Sequence, residues 1–252
     1  MEIVIIGTGN TATVLGRKLK AAGHKIIQIY GRDSIAASKL AYELSTESTN
    51  YWNVVNRNAD VYIIAVSDIA IEEVIKELQL PEKTIVHTAA SVSKDILSRA
   101  GEHFGVLYPL QSLKKESNHL PDIPFIIDAS DENTMKELEA LAHSISDKVI
   151  EAGDDTRKKL HLAAVFCNNF VNHIYTLAEN YCRSENIDFK LMIPLIKETA
   201  LRIEEIAPKH AQTGPALRHD LTTIEQHKAL LANYPDMLRI YDLFTKSIYN
   251  SR

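Results

Sequence analysis

Short apolar runs alternate with amphipathic stretches from the N-terminus to about residue 151. The runs, rich in β-branched residues, predict strands at Ile3–Ile6, Lys25–Tyr30, Val61–Val66, Thr84–Thr88, Gly105–Tyr108, Pro124–Asp128 and Lys148–Glu151. The intervals between them predict helices, notably at Thr11–Ala22, Ser34–Leu44, Ile69–Leu78 and Glu132–Ser146. Thr46–Trp52 is the only candidate for a further strand after the second helix. Strands joined through helices favour a mostly parallel sheet with helices on both faces. Near residue 152 the pattern changes. Gly153-Asp154-Asp155 offers a turn and a helix N-cap, and the repeat beyond it is helical as far as Arg252. Helices are expected at Asp155–Arg183, whose centre is too apolar for an exposed position, and at Asp188–Glu205, Leu221–Ala232 and Pro235–Tyr249. Pro194 implies a kink or local break in the second of these, and Ala207–Asp220 reads as irregular. The expected architecture is α/β over residues 1–152, followed by an all-helical domain over 153–252.

The first strand runs straight into chemistry. Gly7, Gly9 and Ala12 stand at the G-x-G-x-x-(G/A) spacing, between a strand and a helix. The first glycine permits the tight turn, the second leaves room for a pyrophosphate, and the alanine lets the helix pack closely on the sheet. Free N–H groups and the helix dipole then favour a phosphate, so Gly7, Thr8, Gly9, Asn10, Thr11 and Ala12 are expected to bind a dinucleotide. The second strand ends in Tyr30-Gly31-Arg32-Asp33-Ser34, without the carboxylate that an NAD site places there. A guanidinium suits a 2′-phosphate, with a hydroxyl as a second donor. Gly31, Arg32 and Ser34 therefore favour NADP (as NADPH) over NAD, while Asp33 would repel the phosphate if it faced inward. The alternative is that Arg32 and Asp33 are solvated loop charges. Val66 and Ser67 after one strand, and Ala89 and Ser91 after the next, follow the cofactor crevice, with Ser91 nearest the substrate. His87 reads as a buried strand residue or a pocket-shaping one, and the segment from Tyr108 to Ser112 as loop or pocket closure.

Composition narrows the class of partner. The chain has 252 residues, 45% hydrophobic and 24% charged, with a net charge of −5 that argues against nucleic acid. No apolar run approaches the roughly 20 residues that span a bilayer, so no membrane is expected. The N-terminus is itself a strand, which excludes a removable signal peptide as its reading. Cys167 and Cys182 lack metal-ligand spacing, so no metal is expected, and they read as reduced thiols of a cytoplasmic protein.

In the helical half, His161, Ala164, Asn168 and Asn172 are spaced three, four and four residues apart, one face of an α-helix. Polar groups on an apolar helix either meet a ligand or bond to neighbouring helices, because burying them unpaired is costly. Arg218 in Gly214-Pro215-Ala216-Leu217-Arg218 is placed either to hold a substrate carboxylate or to pair with Asp220, which reads as the N-cap of the next helix.

The chain resembles the short-chain relatives of 6-phosphogluconate dehydrogenase, a superfamily that includes ketopantoate reductases, pyrroline-carboxylate reductases and the deazaflavin-linked NADP oxidoreductases. The likeness rests on Gly7 to Ala12, on Tyr30-Gly31-Arg32 and on the long helix opening the second domain. His161-Leu162-Ala163-Ala164-Val165 followed by Asn168, and Thr213 to Asp220 with Thr223 and His227 beyond, resemble a branch of Rossmann-like proteins with a distinctive helical C-terminal domain. The resemblance spans nearly the whole chain. It implies an NADP-dependent oxidoreductase that reduces a small carbonyl or imine substrate, such as a 2-oxo acid, in a cleft between the domains. It also implies a homodimer formed through the helical domain. Ketopantoate reductases carry a catalytic lysine with asparagines four and eight residues later. Asn168 and Asn172 match the asparagines, but Ala164 stands at the lysine position. His161, one turn earlier, is the nearest replacement as proton donor, with Asn168 orienting the substrate. The missing lysine also leaves open an NADP-binding sensor or scaffold without hydride transfer, or a helical dimerisation module with a vestigial nucleotide site.

Overall fold

Alternate residues of the first strand bury on opposite sides of one sheet. Ile3 and Ile5 pack with Leu15, Leu40, Leu138 and Leu141, whereas Val4 and Ile6 pack with Ile71, Val74, Ile75 and Leu97. The period of two and the covering of both faces explain why this run is apolar throughout rather than alternating. The computed structural model describes residues 1–117 and 119–251, so Arg252, the end of the expected helical domain, lies outside the described residues. The chain divides into two compact units, Met1–Asn169 and Phe170–Arg252.

In the first unit the order is β1 (Glu2–Ile6), α1 (Asn10–Ala21), β2 (Lys25–Tyr30), α2 (Ser34–Leu44), β3 (Glu47–Thr49), β4 (Val61–Ile64), α3 (Ile71–Glu77), β5 (Thr84–His87), β6 (His103–Pro109), β7 (Phe125–Ala129), α4 (Glu132–His143), β8 (Val149–Glu151) and α5 (Asp154–Ala164). The eight strands lie in the order β3-β2-β1-β4-β5-β6-β7-β8. The doubtful stretch after α2 does form a strand, though a short one, paired with Gln28 to Tyr30 of β2. All neighbours are parallel except β6 and β7. Among the described residues no helix lies between these two strands, in keeping with an antiparallel pair. The order reverses between β1 and β4, and at such a switch point the loops at the strand carboxyl ends splay apart to leave a crevice.

The loop after β5 is fixed by a cation. Arg157 of α5 is fully buried; its Nε donates to Ala90 O (3.0 Å), and its Nη2 to Val92 O (2.6 Å) and Asp154 Oδ1 (2.7 Å). Its Nη1 is buried with no hydrogen-bond partner among the described residues, a cost of about 1–3 kcal/mol that the three charge-assisted bonds offset. This tie holds α5 to the sheet, and the division between units accordingly falls beyond the composition change at residue 152. The fully buried His87 completes the loop. Its Nδ1 accepts from Ala89 N–H (3.2 Å), which leaves the proton on Nε2, facing Ser93 O (3.4 Å). Burial, and after it the positive charge of Arg157, push the imidazole down to about 4.

The second unit carries α6 (Val171–Ser184), a 3₁₀ stretch Phe189–Met192, α7 (Ile193–Glu205), single turns α8 (Pro208–Ala211) and α9 (Pro215–Arg218), then α10 (Leu221–Leu230) and α11 (Pro235–Tyr249). α9 packs against α10 and α11. One expectation needs correction. Asp155–Arg183 is not one α-helix, because a π-helical segment, Val165–Phe170, separates α5 from α6. Of the kink or local break expected at Pro194, the structure has the break: the 3₁₀ stretch Phe189–Met192, capped by Asp188, gives way to α7 just ahead of the proline, which lies in the first turn of α7, where its missing N–H leaves no bond unmade.

Replacing Arg157 by Met should lower stability by about 3 kcal/mol or more, since Asp154 and two buried carbonyls lose their donor; urea unfolding measures the loss. His87 gives a pH dependence. Its folded value of about 4 lies below the ordinary 6.5, so the unfolded chain takes up the proton first. The contribution is complete above about pH 6.5 and disappears as pH falls towards about 4, with a ceiling of about 3 kcal/mol. In His87→Gln the fall in urea midpoint across that window should be shallower than in wild type, and equal slopes would contradict this account.

Candidate functional site

The two glycines of the first turn do different work. Gly7 has φ +129°, and a Cβ there would stand 2.2 Å from Ala65 O, so the fold itself forbids a side chain. Gly9 has an ordinary φ of −80° and a Cβ on it would meet nothing within 4 Å. It is the N-cap of α1 and has no side-chain cap, so the first-turn N–H groups of that helix are left for another acceptor. Gly7, Thr8, Gly9, Asn10 and Thr11 line a cavity of about 590 Å³. Ala12 is fully buried beneath α1 and outside the lining, consistent with its packing role. The side chain of Asn10 turns to the loop after β6, where its Oδ1 accepts from Lys115 N–H (3.2 Å), and Arg17 donates to Lys115 O (2.8 Å) and Ser117 O (3.1 Å).

The cavity continues over the end of β2, past Tyr30, Gly31, Arg32, Asp33, Trp52, Glu73 and Val74. A Cβ on Gly31 would strike Thr8 Cγ2 at 2.6 Å, so this glycine brings the second turn against the first. Asp33 is not aimed at a phosphate. Its carboxylate accepts from Ile35 N (2.9 Å) and Ala36 N (3.1 Å) as the N-cap of α2. Ser34 is exposed in the first turn of that helix and outside the lining. Arg32 is exposed and pairs with Glu73 at 3.5 Å, a surface contact that contributes little. Two residues that sequence reasoning missed shape this end. Trp52 stacks on Tyr30 (ring centroids 3.7 Å apart, 21° between planes), and Glu73 arrives from α3.

At the other end, Ala65, Val66 and Ser67 line the cavity. Ala89 is buried and Ser91 exposed in the loop held by Arg157, and neither lines it. Next to that loop stands Tyr108 of β6, in the segment read from the sequence as loop or pocket closure. Its hydroxyl lies 3.0 Å from His161 Nδ1 of α5, with the rings edge to face at 6.1 Å. Tyr108 packs with Ala90, Val106 and Ile126. Burial raises its phenol above the usual range, partly offset by the charge of Arg157. Only the fold brings residues 108, 157 and 161 together; no spacing in the sequence announces it.

Asn168 is exposed within the π segment, which interrupts the three-and-four spacing counted from His161. Asn172 and Arg218 belong to the second unit. Asn172 is exposed, and its carbonyl accepts from Thr176 Oγ1 (3.1 Å). Arg218 is exposed at the end of α9. Asp220 caps α10 through Thr223 N (3.1 Å) rather than pairing with Arg218. Among the described residues no three His, Cys, Asp or Glu side chains are grouped to hold a metal.

Residues 2–91 match the family described as NADP oxidoreductase coenzyme F420-dependent, and residues 123–248 match the Domain of unknown function (DUF2520). A crystal structure described as a "putative NADP oxidoreductase" from Bacteroides fragilis is 40% identical over 98% of this chain and 97% of its own, with a TM-score of 0.93. The fold is shared with a reductive aminase from Aspergillus terreus in complex with NADPH and ethyl levulinate (17% identity, 100% and 94% of the two chains, TM-score 0.75). It is also shared with 1-pyrroline-5-carboxylate reductase from Streptococcus pyogenes (15% identity, 98% of each chain, TM-score 0.70). Among curated proteins none matches. With an NADP oxidoreductase region followed by a DUF2520 region, and with a glycine turn lining a cavity at the reversal point of its sheet, the chain belongs to the NADP oxidoreductases of the Rossmann superfamily that carry a DUF2520 domain.

Proposed function

We propose that the protein reduces a small carbonyl or imine substrate, a 2-oxo acid being the first candidate, with NADPH supplying the hydride. The observation that carries this reading is the open space at Gly9, where the first-turn amides of α1 face the cavity and no side chain among the described residues caps them. Arg32 takes the 2′-phosphate in exchange for Glu73, and Val66, Ser67 and Ala89 mark the course of the cofactor along the strand ends. His161 is the source of the proton that completes the reduction, and Asn168 orients the substrate. The solved reductive aminase with NADPH and ethyl levulinate supports a small carbonyl or imine as the substrate class. Ala164, which has no group to give a proton, favours the second reading, an NADP-binding sensor or scaffold.

The helical unit is read as a dimerisation unit for a second copy. α7 leaves Leu195, Leu201 and Ile203 exposed by 63%, 59% and 54%, more apolar surface than a lone helical unit usually shows. A cytoplasmic location is part of the same reading, consistent with two free cysteines; no helix is long and apolar enough to cross a membrane.

Gly9→Val should fold with stability within about 1 kcal/mol of wild type yet lose NADPH binding in a fluorescence titration by tenfold or more. Gly7→Ala should cost about 3 kcal/mol or more, through strain and the clash with Ala65 O. Arg32→Ala should weaken NADPH by about 10- to 100-fold and leave NADH nearly unchanged. Undiminished NADPH affinity in Gly9→Val removes the cradle from the proposal. NADPH oxidation across a carbonyl panel separates the two readings, since a sensor binds without turnover. Sedimentation should show a dimer that Leu195→Asp with Ile203→Asp converts to a monomer.

A further inference from the structure

We infer that the Tyr108 hydroxyl is the catalytic acid of this site, the group that hands the proton to the substrate oxygen or nitrogen, with His161 behind it as a positioning and resupplying residue. The inference deepens the reductase reading and rests on it.

The sheet places Tyr108 in line with the cofactor crevice. β1, β4, β5 and β6 are parallel neighbours in register, Ile6 beside Ile64, Ile64 beside His87, and His87 beside Val106. Their carboxyl ends therefore form one row. The phosphate turn follows β1, Val66 and Ser67 follow β4, Ala89 follows β5, and Tyr108 is the side chain that β6 adds to the same row. Ala90 packs on Tyr108, so the loop and the phenol share one wall.

The bonding of Tyr108 also differs from that of a purely structural tyrosine. Tyr62 shows the structural case in the same sheet: its hydroxyl donates to Asn56 O (2.8 Å) and accepts from Ala59 N–H (3.2 Å), so both its functions are consumed by backbone. Tyr108 has instead a titratable partner, His161 Nδ1 at 3.0 Å, and the other nitrogen of that half-buried ring has no hydrogen-bond partner among the described residues. The charge that acts on Tyr108 is that of Arg157 on α5, which in turn is bonded to Asp154 and bears on His87. Arg157 and His161 are four residues apart and thus share a face of α5. The guanidinium charge favours the phenolate that remains after the proton has left.

The step balances. As the substrate carbon accepts the hydride that NADPH supplies, the π pair of the C=O or C=N bond moves to the heteroatom and takes the proton from Tyr108 Oη, whose O–H bond breaks. The phenolate then takes a proton from Nδ1 of protonated His161, leaving a neutral imidazole that is reprotonated from water. The sum is one hydride and one proton added across one double bond.

The test uses full-length protein with NADPH and three probes: pyruvate, pyruvate with methylamine, and ethyl levulinate. Tyr108→Phe should bind NADPH within about twofold of wild type by fluorescence while kcat falls by about 100-fold or more, with little change in KM. His161→Ala should lower kcat by about tenfold. In cofactor-free protein, the ¹⁵N signal of His161 Nδ1 should move on Tyr108→Phe, which checks the pair independently of turnover. Wild type that turns over any probe, with Tyr108→Phe retaining its kcat, overturns the inference alone. Wild type that binds NADPH and reduces none of the probes overturns the reductase reading and this inference with it.

Discussion

One buried cation organises the active half of the molecule. Arg157 sits where a backbone loop and a helix would otherwise meet through unpaired carbonyls, and it satisfies two of them while keeping its own carboxylate partner within the same helix. Because its bonds run to the loop after β5, the position of α5 against the sheet is set by hydrogen-bond directions rather than by apolar contact alone. His161 inherits that position one turn later. The meeting of His161 with Tyr108 is thus a consequence of an interaction made by neither of them. The neutral state of His87 belongs to the same arrangement, since a second cation beside a buried guanidinium would find no counter-charge.

The crevice itself depends on order rather than on any single bond. A parallel sheet that reverses direction between β1 and β4 leaves its loops parted there, and the segments that follow β1, β2 and β4 supply much of the wall. The chain fills those positions with small residues at the glycine turn and opposite it, Gly7, Gly9 and Ala65, and with the stacked pair Trp52 and Tyr30 at one end; Tyr108 with His161 stands outside this lining, beside the loop after β5. Small residues allow backbone to approach a ligand; aromatic ones provide flat walls with a polar rim.

The strands were legible in the sequence because burial on both faces makes their composition unmistakable, and the phosphate turn because its spacing is a local requirement of the chain. Arg32 was legible for the same reason, as the residue just after a strand end. Asp33 was not, because its role as the cap of α2 depends on a side-chain direction that composition does not reveal. Pro194 marked a kink or a break without deciding between them, because the 3₁₀ stretch ahead of it, which makes it a first-turn residue, leaves no periodic trace. The π segment was invisible because its i→i+5 bonding arises without a marker residue. Trp52 and Glu73 come together at one end of the cavity, and Arg157, Tyr108 and His161 at the loop after β5, only through tertiary structure, which no local pattern reports.

The contrast between Gly7 and Gly9 has a consequence for how the chain tolerates change. At position 7 a side chain is refused by the protein's own carbonyl, so any pressure that keeps the chain folded also keeps that glycine. At position 9 the fold is indifferent, and helix capping alone would prefer Ser, Asn or Asp. Nothing that monitors folding, whether a chaperone, a protease or a melting curve, would register its replacement. A glycine that the architecture does not require leaves the backbone beside it open to approach from outside, which a side chain at that position would obstruct.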